Sequence, residues 1–232
     1  MARPRDILAT MTDELQCVEV DTGGTVRSAV IWLHGLGADG HDFEPIVPSL
    51  GLRGCGVRFV FPHAPRRAVT INMGLLMRAW FDISDPEFRG GADERGIRES
   101  VMQVTGLVDR ERGRGIASGR IVLAGFSQGG AIALHVALRY AETLCGVIAL
   151  STYLAGGAAL EAELNLANGR IPIFQAHGAD DPLIPMERGE ETRDRLLALG
   201  HPVVWKAYPM QHEVCLEEIA DLGVWLRGRL AG

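Results

Sequence analysis

A serine set between two glycines, Gly125-Phe126-Ser127-Gln128-Gly129, matches the pattern G-x-S-x-G. A serine hydroxyl becomes a useful nucleophile when a neighbouring base takes its proton. A helix N-terminus behind it adds unpaired N–H groups and positive potential for a developing oxyanion. The pattern alone carries little weight, since about one shuffled chain in ten would contain it. Its setting carries more. It lies directly between an apolar run, Arg120 to Ala124 (RIVLA), and a run of small and aliphatic residues from Gln128 to Tyr140. A strand that turns at once into a helix is the setting of a nucleophile elbow. So tight a turn leaves no room for a Cβ two residues either side of the serine, and glycine stands at both places.

In α/β hydrolases the order along the chain is serine, acid, histidine, so the base must follow Ser127. Four histidines do: His135, His177, His201 and His212. His135 lies two turns into the helix, on an element leading away from the serine. His177 ends a strand and His201 precedes one. His212 follows the last strand, in a loop at the C-terminal edge of the sheet, where an imidazole can reach over the serine. His212 is the expected general base. The acid is expected in His177-Gly178-Ala179-Asp180-Asp181-Pro182, at another C-terminal strand end. Asp180 and Asp181 compete there. Pro182 holds Asp181 extended and away from helix, which favours Asp181, though both remain candidates on this ground. The oxyanion hole needs a second N–H from the loop after an early strand. His34-Gly35-Leu36-Gly37 is that loop, and the expected donors are the N–H groups of Leu36 and Gln128.

These residues need a scaffold that gathers strand ends. Apolar runs at 28–33, 57–61, 120–124, 146–150, 171–176 and 202–208 alternate with helical patterns at 94–112, 128–140, 186–199 and 217–230. Near-continuous apolar strands separated by helices predict a mostly parallel sheet covered on both faces. The expected fold is therefore α/β: one α/β-hydrolase domain over residues 1–232, with no large cap. The segment near Leu15 to Val20 is expected to add an antiparallel edge strand. Residues 1–12 read as a mobile arm. Residues 63–93, with several Pro and Gly, read as a long functional loop near the site.

At this point LHGLGADGHDF, FPHAP, VTINMG, AWFDI, LAGFSQGG, HGADDPLIP and YPMQHE closely resemble the carboxylesterase and acyl-protein thioesterase family, compact α/β hydrolases. The motifs run in family order from residue 33 to residue 213. The resemblance implies Ser127 as nucleophile, Asp181 as acid, His212 as base, and Leu36 and Gln128 as oxyanion donors. It also implies that the loop carrying Ile71, Leu75, Leu76 and Met77 borders an acyl groove beside Trp80. Apolar side chains line pockets and fill cores alike, so a core role for these five stands beside the groove reading. The segment departs from the family pattern at Arg78, where a proline is expected.

The 232 residues are 47% hydrophobic and 22% charged, with a formal net charge of -6. That is a globular composition. With no basic run, it gives no reason to expect nucleic acid as a partner. No window approaches the ~18 apolar residues of a membrane span, and the N-terminus lacks a signal-peptide pattern. Four scattered cysteines without a CxxC pair suit free thiols in a reducing compartment, so a cytoplasmic protein is expected. No H-E-x-x-H or zinc-type Cys/His cluster appears, and the expected chemistry needs no metal and no organic cofactor. The expected partner is a small ester or thioester, with acylated proteins and lysophospholipids included; a homodimer is left open. Two other readings use the same chain: a non-catalytic ligand-binding module, and cofactor-free perhydrolysis on the same three residues.

Overall fold

The structure, a computed structural model of the chain, describes residues 14–85 and 92–230. Its apolar runs fold as strands. In chain order these are β1 (Cys17–Asp21), β2 (Ser28–Leu33) and β3 (Val57–Pro62), followed by a separate hairpin of β4 (Arg66–Val69) and β5 (Leu75–Arg78). Then come β6 (Ile121–Phe126), β7 (Gly146–Leu150), β8 (Ile173–Gly178) and β9 (Val203–Tyr208). The helices are α1 (Glu94–Gly113), α2 (Gln128–Arg139), α3 (Gly157–Ala162), α4 (Met186–Ala198) and α5 (Leu216–Leu230). Seven strands form one sheet in the order β1-β3-β2-β6-β7-β8-β9. β1 runs antiparallel to β3, with Cys17 opposite Pro62. The other pairings are parallel.

Every residue of β2, β6, β7 and β8 is buried, as expected for central parallel strands covered on both faces. The period of two divides them between two cores. Ala29, Ile31, Leu33 and Leu123 join Val104 and Leu107 of α1 and Ile132 of α2 on one face. Val30, Trp32, Val122 and Ala124 join Leu222 and Leu226 of α5 on the other. This is the α/β-hydrolase architecture, and no large cap stands over it among the described residues. The excursion after β7 holds only α3 and a short 3₁₀ turn, Leu166–Asn168.

The stretch 63–93 is not the plain loop expected. It carries the β4–β5 hairpin, closed by a 3₁₀ turn at Thr70–Asn72, with Arg66 opposite Arg78 and Val69 opposite Leu75. Neither RRAV nor LLMR alternates polar with apolar residues, which hid both strands. The expected arm at residues 1–12, and residues 86–91 of the 63–93 stretch, lie outside the described residues. Among the described residues, no helix is long and apolar enough to cross a membrane.

Candidate active site

Ser127 sits between β6 and α2, as the N-cap of α2, at φ 54° and ψ −123°. A left-handed φ on a residue with a Cβ costs about 1–3 kcal/mol and persists only where neighbours over-determine it. Here they do. The Ser127 N–H donates to Leu150 O at 2.8 Å, and the Thr152 hydroxyl donates to Ser127 O at 2.6 Å. The flanking glycines are required by space. A Cβ on Gly125 would lie 2.3 Å from the Gly129 carbonyl, and one on Gly129 would lie 2.4 Å from Leu33 O. Phe126 and Gln128 are buried, yet Ser127 between them is partly exposed.

At the end of β8, Asp180 is exposed and Asp181 is buried. Asp181 Oδ1 accepts the N–H groups of Leu183 and Ile184, both at 2.9 Å. Its Oδ2 faces His212 Nδ1 at 2.7 Å. Burial opposes the charge on Asp181, but the bonds from His212 and the two N–H groups outweigh it and hold the carboxyl below its ordinary range. An ionised Asp181 keeps the proton of His212 on Nδ1, which leaves Nε2 as the free basic nitrogen. The His212 ring packs on Phe126, next to Ser127, with centroids 4.7 Å apart.

The other three candidate bases, His135, His177 and His201, are buried and held below their ordinary range, first by desolvation. His135 falls to about 4 and bonds Ala155 O at 2.8 Å through Nε2. His177 Nε2 donates to Ile184 O at 2.8 Å and lies 3.5 Å from Asp181 Oδ2.

The loop after β2 lies against the elbow. A Cβ on Gly35 would sit 3.3 Å from the Phe126 ring and 3.5 Å from Ser127 Cβ. Buried His34 braces this loop. Its Nε2 accepts the Ala64 N–H at 3.0 Å, and its Nδ1–H donates to Gly35 O at 2.7 Å. Desolvation pushes its pKa down to about 4, so it stays neutral. Among the described residues, the N–H groups of Leu36 and Gln128 donate to no carbonyl in the turns and loops. Gln128 opens α2, so its N–H is one of the helix's orphan donors.

A family model described as Phospholipase/Carboxylesterase matches residues 16–228. The chain belongs to that family. Acyl-protein thioesterase 1 of Gibberella zeae is 36% identical over 214 residues, which cover 88% of this chain and 91% of the relative. Acyl-protein thioesterase 1 of Neurospora crassa is 39% identical, covering 88% of this chain and 87% of the relative. Among solved structures, Arabidopsis thaliana SOBER1 superposes with a TM-score of 0.83 at 31% identity, covering 88% of this chain and all of that one. Zea mays acyl-protein thioesterase 2 gives 0.83 at 26%, covering 93% and 99%. As a member of the phospholipase/carboxylesterase family, the chain is a hydrolytic enzyme of the serine-hydrolase type.

The five residues expected at an acyl groove separate in the structure. Leu75 and Leu76 are 58% and 68% exposed on the hairpin, and Met73 at its tip is 91% exposed. Ile71 and Met77 are half-buried. Trp80 departs from the groove reading: it has no exposed surface and belongs to the core under the site. Its indole N–H donates to His34 O at 2.9 Å, which makes it a strut for the loop after β2. Sequence reasoning also missed what the Gln128 side chain does. Its Oε1 accepts the Trp80 N–H and its Nε2 donates to Phe81 O, both at 2.7 Å, which clamps the 80–81 segment to the elbow. The one available signal was a long polar side chain set ahead of the small, apolar run GGAIAL.

Proposed function

We propose that this enzyme hydrolyses carboxylic esters and thioesters through an acyl-enzyme on Ser127. His212 Nε2 takes the hydroxyl proton as Ser127 attacks the acyl carbonyl, and Asp181 fixes the imidazole tautomer and stabilises its cation. The N–H groups of Leu36 and Gln128 receive the oxyanion. His212 then protonates the departing alcohol or thiol. Water, activated by the same imidazole, releases the acid and restores the serine. The observation that carries this reading is the 2.7 Å bond from His212 to Asp181 on an imidazole packed beside a strained, partly exposed serine.

The substrate class we infer is an acyl ester or thioester with an apolar chain. The exposed Leu75 and Leu76 and half-buried Met77 and Ile71 form the wall for that chain. The relatives named as acyl-protein thioesterases support thioesters, acylated proteins included. Four cysteines without a disulfide suit a reducing, cytoplasmic setting. The test is Ser127→Ala with a fluorophosphonate label. Wild type is expected to label and the variant not to, with esterase activity below about 1% of wild type, because losing a nucleophile costs far more than 100-fold. Retained labelling or activity in a pure, folded sample would overturn the assignment.

A further inference from the structure

The base of the β4–β5 hairpin is welded to the oxyanion loop. The N–H of Gly37, next to Leu36, donates to Arg78 O at 2.9 Å. The guanidinium of Arg78 reaches back through Nη1 to Ala64 O at 2.9 Å. Ala64 is the same residue whose N–H is held by His34. A guanidinium has five N–H donors, and this bond uses one. Among the described residues, no carboxylate lies within 4.0 Å of Arg78, although many of the other arginines are paired. Asp39 shares this rim and feels the Arg78 charge, but its Oδ1 is turned onto the His41 N–H at 2.8 Å. His63 is near enough to feel the charges of both. Its Nδ1 accepts the Gly40 N–H at 3.0 Å, so its own proton is on Nε2 and available to donate. Burial and then the Arg78 charge hold His63 below its ordinary pKa, which keeps it a neutral donor.

We infer that Arg78 forms an anion subsite at the edge of the oxyanion loop, reading a carboxylate or phosphate carried by the substrate. The planar fork of Arg matches either group with two parallel bonds. Position in the hairpin gives it a partner surface. Alternation along β5 puts Arg78 on the same face as Leu76 and opposite Leu75 and Met77, so the cation shares its face of the strand with one exposed leucine. The subsite rests on the reading of Ser127 and Leu36 given above, because it selects substrates for that centre.

The experiment compares kcat/KM for a neutral ester with two charged analogues, one carrying a carboxylate at the far end of its acyl chain, the other a phosphate on its alcohol. The readout is the charged-to-neutral ratio in wild type, Arg78→Met and Arg78→Lys. In Arg78→Met the ratio for at least one analogue is expected to fall about tenfold or more, the scale of a charge-assisted pair. Arg78→Lys keeps the charge and loses the fork, so it should fall between. The wild-type preference should also shrink as salt rises. The analogue that responds identifies the side of the scissile bond that Arg78 faces. If Arg78→Met lowers neutral and charged substrates by one common factor, the residue is only a strut for the loop and the subsite is overturned. The Ser127 reading fails separately: its loss would show as neutral-ester activity surviving Ser127→Ala, whatever the ratio does.

Discussion

Asp181 and Asp180 are chemically equivalent neighbours with different surroundings, and the surroundings decide what each can do. Asp181 is buried, accepts two backbone N–H groups through one oxygen and holds His212 through the other. Asp180 is exposed. Asp181→Asn is therefore expected to lower kcat by at least about a hundredfold, since an amide can present its N–H to Nδ1 and impose the wrong tautomer. Asp180→Asn should stay within about twofold. Steady-state kinetics on one neutral ester checks both, and a reversed order would move the acid to Asp180. The pairing of Asp181 with His212 is legible in the sequence because chain order and strand ends constrain it strongly. Strand ends and chain order narrow the acid to Asp180 or Asp181 and the base to His212, and the family resemblance decides for Asp181. The braces of the site are not legible in this way. Gln128 meets Trp80 across 48 residues of chain, and Trp80 meets His34 across 46. No local spacing encodes such contacts. Trp80 is equally apolar whether it lines a groove or fills a core, so only its burial distinguishes the two.

Among the elements, the central strands announce themselves and the hairpin does not. SAVIWL and GVIAL are apolar throughout because both faces of a parallel strand are covered, and that pattern survives in a single sequence. Among the described residues β4 and β5 pair only with each other and touch the core through few residues, so nothing forces a period of two on them. Their exposure is itself informative. Met73, Leu75 and Leu76 put three large apolar side chains into water on one short element, more than scattered surface residues require. An acyl chain that buries against this wall should gain up to about 0.8 kcal/mol per methylene. Two further methylenes would then raise kcat/KM roughly tenfold, where the gain is realised in the transition state. Leu75→Ala, Leu76→Ala and Met77→Ala are expected to flatten kcat/KM against acyl length while leaving thermal melts nearly unchanged for the two exposed leucines. Three unchanged length profiles would remove the hairpin from the substrate path.

At the scale of the whole molecule, a sheet covered on both faces strands ionisable groups far from water, and these tie stability to pH. His34 and His135 are both pushed down to about 4 by burial. Glu218, in the first turn of α5, is pushed up to about 8 by burial and then by the charge of Asp221, and among the described residues neither carboxyl oxygen has a hydrogen-bond partner. The two kinds of group act in opposite directions. As pH falls from 6.5 to about 4, the unfolded chain takes up histidine protons that the folded protein refuses, so stability falls on the acid side. As pH rises from 4.5 to about 8, the unfolded chain gives up the Glu218 proton while the folded protein keeps it, so stability falls on the alkaline side. Between 4.5 and 6.5 the two trends oppose each other. Between 6.5 and 8 the histidines are neutral in both states and Glu218 acts alone among these three. Over those 1.5 pH units one proton difference is worth about 2 kcal/mol. For a chain of this size that corresponds to roughly 4–8 °C in Tm. Wild type is therefore expected to lose several degrees between pH 6.5 and 8. Glu218→Gln keeps the volume and removes the titration, so its Tm should stay nearly level across the same range and exceed that of wild type at pH 8. Thermal melts of both proteins at pH 6.5, 7.25 and 8 decide the matter: parallel slopes would mean that Glu218 already carries its charge in the folded state, with a partner that neutralises it.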